Sequence, residues 1–498
     1  MPATRSSGPI VAVLASAGIV VSLMTTLLVP ILPQLSTLLR TSEANASWTV
    51  TSTLLAAAVA TPVFGRLGDM YGKRRVLLAC AILMVAGSLV CALTDSLLPM
   101  VAGRTLQGLS SAVIPLGISV MRDVLPREKL SSSVALMSAS LGVGGALGLP
   151  ASALIAEHWN WHMLFWVSLV LGAVVTGLVA LVVPESPNRA GGRLDVPGVA
   201  GLAAGLLALL LAITEGSTWG WTSPATLGCF GGSVVVLAAW GVWELRTPSP
   251  LVDLRTSARR QVLITNLASV VVGFGMYAAS LIAPQILELP RATGFGLGQS
   301  LISAGLWMLP TGLVMMALSP VTGKLIRRYG AKVPMFCGAL VIAAGYLVTL
   351  PLMHHAWGIM IGTAVVGAGI GLAYAAMPSL IMAAVPGSQT ASANGLNSLA
   401  RSIGTSLASA IIAAILSRMT IHLGGAVIPS ANGFRVGLLA GGGGALIAAL
   451  VVLAIPRQQP AVPRQSGRRI ETVPLETVPA EAVRVETVPA EDAAPSAG

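Results

Sequence analysis

Apolar runs long enough to cross a bilayer alternate along this chain with short polar segments that hold almost all of its charge. A membrane-spanning helix takes about 20 mostly apolar residues. Runs of that kind fall at 10–33, 47–65, 76–94, 97–121, 131–156, 162–183, 197–214, 226–244, 262–287, 300–322, 333–351, 356–384, 392–416 and 434–455. The pattern predicts an all-α polytopic membrane protein with fourteen transmembrane helices. Arg5 precedes the first run as in a secretory signal, but its 24 residues exceed an h-region and lead straight into a second span, so it reads as the first helix.

Composition agrees with the pattern. Of 498 residues, 55% are hydrophobic and 9% charged, with a mean hydropathy of +0.84, which excludes a soluble globular chain. A formal charge of +11 would suit a nucleic-acid partner, so the placement of the basic residues decides its meaning. With a cytoplasmic N-terminus, 23 of the 29 Lys and Arg fall in cytoplasmic segments, four lie at outer ends, and Arg104 and Arg401 lie well inside spans. The excess is a positive-inside signal. It predicts a multi-pass protein of the cell membrane, inner or plasma, with both termini cytoplasmic, the lipid bilayer as its surroundings and no nucleic-acid partner. Trp48, Trp159, Trp161, Trp219, Trp221 and Trp357 near outer ends, and Trp240 and Trp243 near an inner end, fit an interfacial aromatic belt.

Other chemistry is missing from the sequence. Cys80, Cys91, Cys229 and Cys337 stand singly in apolar helices without metal-ligand spacing, and His354 and His355 have no companion ligand. No G-x-x-x-x-G-K-S/T run occurs, and the glycine clusters at 142–148 and 367–371 lack the preceding strand of a dinucleotide loop. No cofactor, no metal and no enzyme activity are expected.

An internal repeat organises the chain. G-R-L-G-D-M-Y-G-K at 65–73 recurs as G-K-L-I-R-R-Y-G-A-K at 323–332, and G-L-S-S-A-V-I-P at 108–115 recurs as G-L-A-Y-A-A-M-P at 371–378, with offsets of 258 and 263 residues. Such duplication is common in secondary transporters. The reading is an N-terminal six-helix half at 1–183, an inserted two-helix segment with its loops at 184–260, and a C-terminal six-helix half at 261–456. Residues 457–498, with three Pro-broken E-T-V-P units, predict a disordered cytoplasmic tail.

The stretch G-R-L-G-D-M-Y-G-K-R-R at 65–75 concentrates five charges between two spans. Gly65 and Gly72 permit close packing and a turn, while Asp69 can face a helix N-terminus and pair with Lys73 or an Arg. Here the sequence resembles the major facilitator superfamily, whose loop signature runs Gly-x-Leu-x-Asp-x-x-Gly-Lys/Arg-Lys/Arg. Gly65, Leu67, Asp69, Gly72, Lys73 and Arg74 match it, and Met70 departs from it. The resemblance implies that this loop locks the cytoplasmic side against an acidic partner at the inner end of the fourth helix, a place that Asp123 fits. It also implies a coupling or substrate role for Arg104 in G-R-T-L-Q-G, residues 103–108. An Arg two turns into a span costs about 2.5–3.5 kcal/mol on insertion scales unless it faces a polar cavity, which agrees with that role.

Fourteen spans, the six-two-six plan, L-D-V-P-G at 194–198 and E-G-S-T-W-G-W at 215–221 resemble the 14-helix drug:proton antiporter branch. That resemblance implies a major facilitator fold and proton-driven efflux of small organic molecules by a monomer. Two departures stand against the antiport: Leu149 replaces Pro in the fifth-helix signature, and Met24 stands where the first helix of the branch carries Asp. A metabolite facilitator or importer therefore stays open, as does a non-transporting scaffold, which the intramembrane Arg104 and Arg401 disfavour. None of the 18 acidic residues falls in the middle of a span. A cavity with net positive charge predicts neutral, zwitterionic or anionic substrates. Gln34, Gln107, Asn394 and Asn397 would offer hydrogen bonds beside Arg104 and Arg401, and Tyr277, Trp307 and Tyr374 aromatic surface.

Overall fold

The computed structural model describes residues 7–28, 31, 34–423 and 426–456. The tail expected at 457–498, like Arg5, lies outside the described residues. The chain runs α1 (Ser7–Thr26), α2 (Leu35–Leu38), α3 (Glu43–Tyr71), α4 (Lys73–Ala92), α5 (Leu97–Leu109), α6 (Val113–Val124), α7 (Arg127–His158) and α8 (Met163–Val182). An inserted pair follows, α9 (Val196–Trp219) and α10 (Pro224–Arg246), with the short α11 (Leu254–Ser257) after it. The remainder is α12 (Arg260–Glu288), α13 (Leu301–Ala317), α14 (Ser319–Tyr329), α15 (Lys332–Leu352), α16 (Ala356–Ala384), α17 (Thr390–Arg418) and α18 (Ala431–Leu453). Between the last two lies an antiparallel hairpin of β1 (Thr420–Leu423) and β2 (Ala426–Pro429), registered with Thr420 opposite Pro429.

Thirteen helices among the described residues are long and apolar enough to cross a membrane, α13 and α14 together making one of them. The fourth predicted span differs in form. It is two helices, α5 and α6, joined by a tight turn at Ser110–Ala112, so neither piece reaches the length of the others. Ser110 Oγ donates to Gln107 O at 2.6 Å, and Pro115 at the start of α6 has no N–H to continue the ladder. With this broken member, the fourteen predicted spans are all accounted for. Several are longer than their apolar runs, as with α3 and α7, because polar end turns extend the helix beyond the apolar core.

Among the described residues, buried apolar side chains gather in four clusters, the smallest of them Val262, Ile381 and Val385. One cluster joins α1 and α3 to α8 through Leu14, Leu77, Met84, Leu116 and Met137, and a second joins α12 to α18 through Ile282, Met335, Ile342 and Phe434. A third, smaller cluster ties α9 to the outside of the α3–α17 seam: Leu202, Leu206 and Leu210 pack with Leu55, Ala58, Leu399, Leu251 and Val252. The inserted pair is thus seated against the two helices that meet at the site below.

Candidate functional site

The end of α3, just before its turn into α4, reaches across to α17. Asp69, with no exposure, accepts hydrogen bonds from Ala391 N at 3.1 Å and Ser392 N at 2.8 Å. These are amides of the first turn of α17, where unpaired N–H groups and the helix dipole favour an anion. Lys73 follows one turn later, buried too, with its Nζ 3.8 Å from Asp69 Oδ1 and 2.5 Å from Asp123 Oδ2 at the end of α6. Its third contact is Gly387 O at 3.3 Å, just before α17. Gly65 allows the approach, since a methyl group there would lie 2.6 Å from Ala391 O. Gly72 separates the two helices with φ +112°, a value that side chains resist.

The loop after α8 completes this latch. Ser186 Oγ and Asn188 Nδ2 donate to Asp123, the latter at 2.9 Å, and Ala190 N donates to Asp69 O at 2.6 Å. Glu185 accepts from Arg74 N at 3.3 Å and lies 3.7 Å from Arg75 Nε. Arg74 sends its guanidinium to Ala180 O at 2.5 Å, away from Asp69. Arg122 adds a second bridge to the α16–α17 turn, donating to Thr390 Oγ1 at 2.5 Å and Val385 O at 3.0 Å. Gly65, Asp69, Gly72, Lys73 and Asp123 therefore come together, and Arg74 stands at their edge. Ser186, Asn188 and Arg122 carry no sequence signal of their own: a Ser and an Asn in a loop and an Arg beside an inner end are ordinary there.

The repeat makes the opposite seam similar in packing and different in charge. A methyl group at Gly323 would lie 2.7 Å from the backbone of Ser132 on α7, as Gly65 meets α17. The residue matching Asp69 at the repeat offset is Arg327, which donates to Glu128 O at 3.5 Å. An Arg cannot accept from the N-terminal amides of α7, so the carboxylate latch belongs to one seam.

Deeper in the bundle stand two buried guanidinium groups. Arg104, 1% exposed, donates through Nε to Thr49 O at 3.2 Å and through Nη1 to Met24 O at 3.2 Å and Gln107 Oε1 at 2.8 Å. Gln107 passes the network on to Ser88 Oγ at 2.9 Å. Arg401, 6% exposed, donates to Asn397 Oδ1 at 2.6 Å and Ser398 Oγ at 2.8 Å, and stacks on the Tyr374 ring at 4.4 Å. Asn397 in turn donates to Asn266 Oδ1 at 2.9 Å and Ser269 Oγ at 2.8 Å, partners whose polar side chains in an apolar helix were the available signal. Among the described residues no carboxylate pairs with either Arg. Arg104 Nη2, Arg401 Nε and both polar atoms of Asn394 are buried without a partner among the described residues. Buried polar groups are normally satisfied, so these atoms keep unused hydrogen-bonding capacity.

The other expected ligand residues lie apart from these clusters. Gln34 is exposed at the start of α2, Tyr277 is half-buried on α12, and Trp307 donates to Gln299 Oε1 at 3.2 Å.

Comparison with known proteins places this architecture. The major facilitator superfamily profile matches residues 14–409. The chain is 28% identical to the multidrug resistance protein Stp of Mycobacterium tuberculosis over 389 residues, covering 78% of this chain and 71% of that one. It is 26% identical to the tetracenomycin C resistance and export protein of Streptomyces glaucescens, over 76% and 70% of the two chains. The human organic anion transporter MFSD10 shares the fold at a TM-score of 0.63 and 16% identity, over 91% of this chain and 100% of that one. So does the proton:xylose symporter XylE, at 0.64 and 14%, over 91% and 96%. With its profile match spanning most of the sequence and its helices in the same arrangement, this multi-pass membrane protein belongs to the major facilitator superfamily, a family of small-molecule transporters.

Proposed function

We propose that this protein exports small organic molecules from the cytoplasm by alternating access, driven by the proton gradient, with both termini and the Asp69 latch on the cytoplasmic side. The observation that carries the reading is the latch itself. Two backbone N–H groups of α17 donate to the Asp69 carboxylate of α3, and beside them the buried Lys73–Asp123 ion pair ties α4 to α6, contacts that can be broken and remade without dismantling an apolar core. Efflux follows from the resistance and export proteins among its relatives, and a monomer with two six-helix halves around the inserted pair suffices for the cycle. The cargo is neutral, zwitterionic or anionic. Arg104 and Arg401, unmatched by carboxylates, repel a permanent cation in a low-dielectric site and leave donors for a carbonyl, phenol or carboxylate.

A second reading, a facilitator without proton antiport, is favoured by one observation: neither guanidinium cluster contains a titratable carboxylate. Expression in an efflux-deficient host separates the cargo classes. Resistance to neutral and anionic antibiotics supports the proposal, and gradient-dependent export of ethidium and other quaternary cations alone refutes it. Reconstituted vesicles decide the energetics: cargo-dependent proton flux supports antiport, and transport that ignores an imposed pH gradient supports the facilitator.

A further inference from the structure

Two acidic side chains lie buried side by side where α9 begins and α10 ends. Asp195 is the N-cap of α9 and 8% exposed, and Glu244 sits in the last turn of α10 and is 2% exposed. A methyl group at Gly198 would stand 2.3 Å from Asp195 Oδ2 and 2.7 Å from Glu244 Oε1. Both carboxylates thus converge on one point, their facing oxygens no farther apart than the sum of those distances.

Their hydrogen bonding is unequal. Asp195 accepts from Gly198 N at 3.0 Å, and its two oxygens share Trp243 Nε1 at 3.1 and 3.0 Å. Glu244 Oε2 has one long bond from Val252 N at 3.4 Å, while Glu244 Oε1 is buried with no hydrogen-bond partner among the described residues. Trp240 Nε1, one turn earlier and buried, approaches the Glu244 carboxylate without making a well-formed hydrogen bond. The ion pairs among the described residues include neither carboxylate, and Arg66 of α3, half-buried, reaches the same loop at Gly192. On the flanking segments Arg189, Arg193, Arg246, Arg255 and Arg259 are exposed, and Arg255 donates to Leu245 O at 3.3 Å. Asp253 is engaged elsewhere. Burial works against its charge, yet hydrogen bonds from Thr256 and the Arg255 backbone, with Arg259 nearby, hold it below the usual carboxylate range.

Two carboxylates this close and out of water cannot both stay ionised, because each anion adds to the desolvation cost of the other. A proton on Glu244 Oε1 removes the repulsion and turns an unsatisfied acceptor into a donor facing Asp195 Oδ2. We propose that Glu244, facing the Asp195 carboxylate, is a proton-binding site, the proton held on Glu244 Oε1, whose loss loosens the α3–α17 seam.

The path to the seam is short. Val252, bonded to Glu244, and its neighbour Leu251 pack in the cluster that holds Leu55 and Ala58 of α3 and Leu399 of α17. On its other side, Asp195 ends the loop whose Ser186, Asn188 and Ala190 contact Asp123 and Asp69. Two bare anions would separate or draw in water, and the 251–252 loop and the start of α9 would release their hold on the seam. The site lies on the inserted pair, away from the guanidinium clusters, and it does not depend on the direction or cargo of transport.

Infrared pH-difference spectra of the full chain in lipid nanodiscs test the site without any transport substrate. A protonated-carboxyl band is expected near neutral pH, to shift on labelling with isotopic glutamate, to persist in Asp253→Asn and to vanish in Glu244→Gln. Asp195→Asn removes the facing anion and leaves a weaker, neutral acceptor, so it should move the titration of that band to lower pH. Spin labels on α3 and α17 should separate as pH rises in the wild type and not in Glu244→Gln. If Glu244→Gln does not insert, the labelled wild-type spectrum and Asp195→Asn decide. No glutamate-derived band in the wild type, a band that survives Glu244→Gln, or a midpoint unmoved by Asp195→Asn overturns the site, and a pH-independent label distance overturns its link to the seam.

Discussion

Replacing Asp69 with Asn keeps the shape of the latch and removes one charge and one acceptor. The Asn carbonyl can accept from Ala391 N or Ser392 N but not fully from both, and its NH2 group then faces the remaining amide. Loss of a hydrogen bond to a charged group costs about 1.5–3 kcal/mol. Loss of the anion at the N-terminus of α17 adds roughly 0.5–1 kcal/mol. Lys73 keeps Asp123 at 2.5 Å, so no charge is left without a partner. The latched arrangement should weaken by about 2–4 kcal/mol, roughly 30- to 1,000-fold in the equilibrium between latched and open forms. Spin labels at Tyr71 and Ser388, on the two sides of the latch, read that equilibrium as a new long-distance population, and drug export in an efflux-deficient host reads its consequence. Export should be lost at wild-type membrane abundance with the protein still folded and inserted, because no apolar core has been touched. Normal export with an unchanged distance distribution refutes the latch and reduces the 65–75 stretch to a topology signal.

Further outcomes follow from single contacts. Gly72→Val places a branched side chain at φ +112°, with its Cβ 2.8 Å from Glu185 Oε1, and should abolish transport in the same assay at normal abundance. Gly404→Ala puts a methyl group 1.9 Å from Val270 O, forcing α12 and α17 apart; overpacking of about 1–3 kcal/mol should appear as a lower melting temperature in detergent. Tyr374→Leu removes the ring beneath Arg401, a contact of about 0.5–2 kcal/mol, and should raise the apparent KM for cargo roughly 2- to 30-fold in vesicle uptake. Truncation after residue 460 should leave export intact, as the sequence-based expectation from Pro-broken acidic repeats poor in bulky apolar residues requires.

Hydrophobic run length alone determined that this chain crosses a membrane and roughly where it does so, and residue order showed that two segments near 65 and 323 repeat each other. The reason is that hydrocarbon forbids unsatisfied backbone, so each span must be a helix whatever its neighbours are. Residue type also singled out Asp69, Arg104 and Arg401, because a charge in or beside a span is costly wherever the helix packs. Contacts between helices carry no such local signature. That Asp69 caps α17, 322 residues away, depends on how closely α3 can approach it over Gly65, and that closeness is a property of two surfaces fitting together. The same holds for Ser186 and Asn188, ordinary loop residues until the chain folds them onto Asp123. The break at Ser110–Ala112 was hidden within an unbroken apolar run, since hydropathy does not register backbone hydrogen bonds. Asp195 and Glu244 read separately as loop-side acids at two helix ends; only the antiparallel packing of α9 on α10 puts their carboxylates together and out of water.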